Sequence, residues 1–584
     1  MDFDETIRQL EAAQKDPEAL TFATLNIVLA PRSSELKRIF EAAAIPHWFD
    51  KEILIALSGG RNDKELSAAT EELYQLPMVE PFGARNASNV HEATRLVIRK
   101  AMARDDPERY RDLSRLAAEY FAADARPHSR IEEVYHRLAY APDDGANQLL
   151  ELHETWRFRG AYEPLQALAV MLEEHRRSGL LASRSRALVV AILAQLRQHH
   201  MPLATTVSLW REAVDLFKEN GNENNEAVAL DYLGEQLRAE GQLDAALAEY
   251  QAALTIREKL VAADPANPEQ QLYLSNSFNG IGEILRSRGQ LHAAFAQYEA
   301  AMEIRERLVA EHAEVAQYQR DLSVSYNNVG HILREYGRTD AALSRYQDSL
   351  SIRAHLVALD PHHTEWQRDL SISHNYAGDA LREAGRFDDA LFHYAEALEI
   401  LTKLAAGDPN HTEWQRDLSI SHNQIGRLLR DNFELEGALE HYRKALTIVE
   451  RLTDQDPHQT EWQRDLSISH NRVGDALRGM KQAENALVHY NAGLAILRRL
   501  ADPHPSHTEW QRDLVLSHSK VGHILCELKR YDEAYAHLQD ALEVAERLAA
   551  GEPSRSDLQR AVMILRADVA HAAIEIAKST DGGT

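Results

Sequence analysis

Between about residues 224 and 552, apolar and polar positions recur every 48 residues. Gly234, Gly282, Gly330, Gly378, Gly426, Gly474 and Gly522 hold one register. Tyr250, Tyr298, Tyr346, Tyr394, Tyr442 and Tyr490, with Leu538 in seventh place, hold a second, and alanines from Ala246 to Ala534 hold a third. Registers in phase mean that one supersecondary unit is repeated. Each unit reads as two helices. The first is expected to start at Thr-Glu-Trp-Gln (Thr364 to Gln367 and its equivalents), a capping box with Thr at N-cap. Asp-Pro pairs such as Asp360-Pro361 stop the preceding helix. Gly241, Gly289, Gly337 and Gly385 suit a left-handed C-cap, which the last three units replace with other residues. From Asp557 onward a solitary helix would close the array.

Helical spacing divides the first helix of a unit into two stripes. Trp366, Leu370, His374, Ala377 and Leu381 form the predicted core stripe. The recurring His374, His422, His470 and His518 lie on it, and Phe278 and Tyr326 hold the same register. They therefore read as packing groups with one satisfied ring nitrogen, and no metal site is predicted. The opposite stripe carries Arg368, Ile372, Asn375, Asp379 and Arg382. Its asparagine recurs at Asn279, Asn327, Asn375, Asn423 and Asn471, and its arginine at Arg286, Arg334, Arg382, Arg430 and Arg478.

The stretch Ser371 to Leu404, with Gly378, Ala390, Tyr394 and Ala397, resembles a tetratricopeptide repeat lengthened by the residues AAGDPNHTEWQRDL. The resemblance implies an all-α fold, a right-handed superhelix of helical hairpins whose first helices line the concave face. It further implies an asparagine ladder that holds the backbone of an extended peptide. A side-chain amide both donates and accepts, and arginine grips carboxylates in a fork, so the expected ligand is an extended acidic polypeptide segment. The competing expectation is that the asparagines bond the neighbouring repeat and that Arg382 pairs with Asp379 along its own helix.

The region before the array is not periodic. Helices are expected over Ser33 to Ala44, Lys51 to Leu57 and from Asn62-Asp63 through Leu73 to Leu76. Val79 to Phe82 and Ser88 to His91 flank a hairpin turn at Gly83-Ala84-Arg85-Asn86, and a long helix follows from about Glu92. Three helices and a hairpin make a winged helix. LYQLPMVEPFGARNASNVHEATRLVIRKAM resembles the winged-helix module of STAND-type (NB-ARC/NACHT-like) signalling proteins, with a helical arm behind it. The expected organisation is thus a winged-helix-like domain with an N-terminal helix at 1–125, an arm at 126–223, seven repeats at 224–556 and a capping helix and tail at 557–584. The resemblance implies a nucleotide-binding domain, but no G-x-x-x-x-G-K-[ST] loop occurs in the chain. An NTPase or protease effector acting in trans is one implied partner.

Composition narrows the function. Among 584 residues, 65 Lys and Arg face 91 Asp and Glu, a net charge of −26, which opposes phosphate backbones. Arg95, Arg99, Lys100, Arg104, Arg109, Arg111 and Arg115 could still make the winged helix a DNA-binding regulator, but acidic residues interleave with them, so nucleic acid is not the expected partner. One cysteine, Cys526, excludes an intrachain disulfide and fits a reducing cytosol. MDFDETIRQL lacks signal-peptide character, and the apolar run Ala19 to Pro31 is too short for a bilayer. His153-Glu154-Thr155-Trp156-Arg157 lacks the second histidine of a zinc-protease helix, and the pair His523 and Cys526 reads as core rather than catalytic. The expectation is a non-catalytic, cytoplasmic interaction scaffold or sensor without cofactor. The resemblance places it in bacterial signalling or defence, and the repeats leave self-association open.

Overall fold

The computed structural model describes residues 13–158, 161–198, 203–505, 507–551 and 555–581. The MDFDETIRQL segment and the last residues of the tail lie outside these. The chain divides into two compact units, Met1–Ala229 and Leu230–Thr584.

In the first unit, α1 (Pro17–Leu29), α2 (Ser34–Ala43), α3 (Lys51–Leu57) and α4 (Lys64–Leu73) precede a hairpin of β1 (Val79–Phe82) and β2 (Ala87–Val90). Ser33, Asp50 and Asp63 cap α2, α3 and α4 by accepting from Leu36, Ile53 and Leu66 amides at 3.1, 2.9 and 2.8 Å. These caps fix where each helix starts. The hairpin is antiparallel, with Val79 opposite Val90 and Phe82 opposite Ala87, and Phe49 adds a single bridge to Ser88. Leu36, Phe40, Phe49, Leu54 and Leu73 form the buried centre. Seven further helices, α5 (Glu92–Asp105), α6 (Pro107–Ala122), α7 (Pro127–Tyr140), α8 (Pro142–Phe158), α9 (Tyr162–Ser178), α10 (Ser183–Arg197) and α11 (Leu203–Glu219), complete this unit.

The second unit is a stack of helical pairs. The first helices are α12 (Glu223–Ala239), α14 (Pro268–Ser287), α16 (Ala316–Glu335), α18 (Thr364–Glu383), α20 (Thr412–Asp431), α22 (Thr460–Gly479) and α24 (Thr508–Glu527). Each is followed by a second helix: α13 (Leu243–Ala263), α15 (Leu291–Glu311), α17 (Thr339–Leu359), α19 (Phe387–Gly407), α21 (Leu435–Gln455), α23 (Ala483–Ala501) and α25 (Tyr531–Gly551). The glycine and tyrosine registers are one device. A Cβ on Gly378 would stand 2.6 Å from the Tyr394 ring, so glycine lets the tyrosine seat on the helix backbone. Helix α26 (Ser556–Asp581) closes the stack by packing Leu558, Val562 and Leu565 on Leu538 and Leu542.

The helix ends hold two surprises. His363 is the N-cap of α18 and Thr364 lies inside the helix, so the expected capping box is displaced by one residue. Gln367 reaches back instead to the Pro361 carbonyl, and Gln511 does the same to Ala501 at 2.6 Å. At the other end, Gly241, Gly289, Gly337 and Gly385 take the left-handed conformation (φ 71 to 77°), and Phe433, Lys481 and Lys529 adopt it too (φ 61 to 64°). The turn is the same in all seven repeats although a side chain disfavours it.

Repeats far apart in sequence also meet. His507 Nε2 lies 3.1 Å from the Ala239 carbonyl, and Arg555 donates to the Ser287 carbonyl at 3.0 Å, both across 268 residues.

Candidate peptide-binding surface

Successive first helices touch one another more closely than successive second helices do. The first helices therefore form the tighter, inner layer, and their facing side chains are shared between repeats. Both predicted series lie in this layer. The asparagines are buried: Asn279, Asn327, Asn375, Asn423 and Asn471 are 3 to 8% exposed. Asn327, Asn375 and Asn471 donate to Ser373, Ser421 and Ser517 of the next repeat at 3.2, 3.0 and 2.9 Å. Asn279, with its amide oxygen turned towards Arg305, accepts from Nη1 and Nη2 at 2.9 and 2.8 Å. The carbonyl oxygens of Asn327, Asn423 and Asn471 have no hydrogen-bond partner among the described residues.

The arginines form a second inter-repeat row, and they stay partly open. Arg286 reaches Glu335 at 2.7 Å, Arg334 reaches Asp379 at 3.4 Å, and Arg382 reaches Asp431 at 2.7 Å. Arg430 holds Asp431 at 2.9 Å, and Arg478 holds Glu527 at 2.5 Å. Arg382 turns to the next repeat rather than to Asp379 on its own helix. Asp379 instead accepts from the Tyr394 hydroxyl at 2.7 Å. The side chains of these five arginines are 11 to 41% exposed.

A third row was not separated from these in the sequence. Arg320, Arg368, Arg416 and Arg464 each clamp a Glu 45 residues ahead and an Asp 49 residues ahead. Arg368, for example, holds Glu413 at 2.7 Å and Asp417 at 2.5 Å. Spacings one turn either side of 48 were the available signal, because adjacent helices in register offset partners by three or four residues.

The remaining candidates are occupied. In the first unit Arg95 and Arg99 are buried against Glu174 at 2.5 and 3.0 Å. Lys100, Arg104, Arg109 and Arg115 pair with Glu18, Asp105, Glu41 and Glu119. This balances most of the basic cluster with carboxylates. His523 bonds Asp568 at 2.9 Å, while burial, helped by Asp568 and Glu527, pushes the Cys526 thiol up. A thiol so raised is a poor nucleophile. The histidine register is a different matter: His374, His422, His470 and His518 meet a second histidine, His393, His441, His489 and His537, across the helix pair.

Family models for the tetratricopeptide repeat match residues 273–355 and 421–458. The chain carries tetratricopeptide repeats. It is an all-α protein of such repeats, each stretched to 48 residues, and two matched segments fall on pairs seen in the structure. No curated protein matches the sequence. Among solved structures, BtubC (BKLC) from P. vanneervenii is 17% identical, over 44% of this chain and 92% of its own, with TM-score 0.34. A signal transduction ATPase with numerous domains (STAND) protein with a tetratricopeptide repeat sensor, from Pyrococcus horikoshii, is 12% identical over 83% of this chain and 66% of its own, TM-score 0.39. The apo form of RapI is 14% identical over 52% and 99%, TM-score 0.30. Tetratricopeptide repeats are protein-interaction modules and typically not catalytic. Among the described residues no helix is long and apolar enough to cross a membrane.

Proposed function

We propose that the array is a non-catalytic scaffold or sensor whose first-helix face binds an extended acidic segment of a partner protein, in a bacterial signalling or defence setting. The observation that carries this reading is the row Arg286, Arg334, Arg382, Arg430 and Arg478. Each guanidinium is already posed on a carboxylate while part of it stays open to solvent. A partner's Asp and Glu side chains would exchange with the array's own. Asn279, Asn327, Asn375, Asn423 and Asn471 lie behind the row and hold adjacent repeats in register, and the unpaired carbonyls of three of them offer acceptors to a ligand backbone. The winged-helix-like module would serve protein contact rather than DNA, since its arginines are paired within the unit.

Asp431 separates this from a purely architectural row, the reading that closed ion pairs also favour. It holds both Arg382 and Arg430. With a fluorescent oligoglutamate peptide as probe, Asp431→Asn should bind more tightly than wild type, and Arg334→Gln/Arg382→Gln/Arg430→Gln should lose binding at unchanged helicity. Equal affinity in all three chains would refute the exchange.

A further inference from the structure

In repeats 4 to 7 the paired histidines approach through Nδ1, at 3.0 Å for His374 and His393, 3.1 Å for His422 and His441, 3.1 Å for His470 and His489, and 3.2 Å for His518 and His537. Two neutral imidazoles can meet this way by sharing one proton. The same spacing is close to the edge between two nitrogen ligands of a tetrahedral zinc ion, about 3.3 Å for Zn–N bonds of about 2.0–2.1 Å. What separates the four pairs is the residue three positions after the second histidine. Lys444 follows His441 and Ala492 follows His489, but Asp540 follows His537. Glu396 has the matching place after His393, yet among the described residues only the seventh repeat gathers three ligand atoms within 4.8 Å of one another.

We propose that His518, His537 and Asp540 form a binding site for one divalent transition-metal ion, zinc above all. Two imidazoles and a carboxylate suit zinc, with water in the fourth position. Asp540 Oδ2 stands 3.6 Å from His518 Nδ1, again near a tetrahedral edge. His518 is buried at 2% exposure, which holds its ring in place, and burial lowers its pKa to about 4. It is therefore neutral at pH 7 and competes little with protons for the metal. Arg498 opposes the site in two ways: it holds Asp540 at 3.1 Å, and its Nε lies 3.4 Å from His518 Nε2. Metal at Nδ1 moves the ring proton to Nε2, where that guanidinium now stands, so Arg498 must swing away.

The test uses the full chain, stripped with chelator and titrated with Co2+ and then Zn2+, with helicity followed in every variant. One equivalent should bind, with the visible bands of tetrahedral Co2+. His537→Ala, and His537→Gln should the first lose helicity, should weaken binding at least tenfold, as should Asp540→Asn. Arg498→Gln should tighten it. His489→Ala, which breaks a pair without a carboxylate, should change neither stoichiometry nor affinity. No uptake by the full chain, undiminished uptake by the His537 and Asp540 variants, or equal loss in His489→Ala would each overturn the site.

Discussion

The two halves of the array bury different chemistry at matching positions. Repeats 1 to 3 place Arg257, Arg305 and Arg353 in the interior, each 3% exposed. Repeats 4 to 7 place Leu401, Val449, Leu497 and Ala545 in the same register, all buried. Arg305 donates to Ser275, Ser325, the Asp321 carbonyl and Asn276 at 2.6 to 2.9 Å. The second half puts its polarity elsewhere, in the histidine pairs, where the first half has Phe278 and Tyr326. A repeat thus tolerates one buried polar cluster in either of two places, provided that each donor finds an acceptor.

Removing the arginine should have the largest effect. Arg305→Ala leaves several buried acceptors unpaired at about 1–3 kcal/mol each, so urea unfolding should register a loss of ~3–5 kcal/mol. Arg305→Leu, which copies Leu401, should recover little; full recovery would show that the arginine is only filler. Acid should act next, and on the other half. Burial, then the facing imidazole, lowers His374, His422 and His470 to about 4. Between that value and 6.5 the unfolded chain binds more protons than the folded one, so stability falls as pH drops through this window. Hydrogen exchange at pH 5 against pH 7 should show repeats 4 to 6 opening first, with His331, lowered to about 3 by burial, the one counterpart in repeat 3.

A third comparison should find the halves alike. Gly282→Ala and Gly474→Ala drive a Cβ to 2.7 and 2.5 Å from Tyr298 and Tyr490, and each should lose ~1–3 kcal/mol by overpacking. The smallest effect is at the turns. Phe433→Gly or Lys481→Gly should gain about 0.5–1 kcal/mol by relieving the left-handed backbone, whereas Gly337→Ala should lose a similar amount. A null result at Phe433, which is 89% exposed, would mean that its side chain is held by something other than the turn.

The repeat, its helix pairs and the hairpin of the first unit were legible in the sequence, because 48-residue periodicity and the caps at Ser33, Asp50 and Asp63 are local signals. The faces were not. A helix read as two stripes has a core side and an open side, but in a stack each first helix also has a neighbour on either flank. Asn375 falls on such a flank and bonds Ser421, 46 residues ahead. The same blindness hid the histidine pairs, whose partners stand 19 residues on, across the turn of the helix pair.

The contacts of His507 with Ala239 and of Arg555 with Ser287 give repeat number a meaning of its own. In a solenoid every interface is local, and stability grows by adding neighbours. Here two contacts span 268 residues, more than five units of 48. Excising one internal repeat would leave neighbouring interfaces of the usual kind and yet throw both closures out of register. The array therefore has a preferred length, and its two ends unfold as one cooperative body rather than fraying independently.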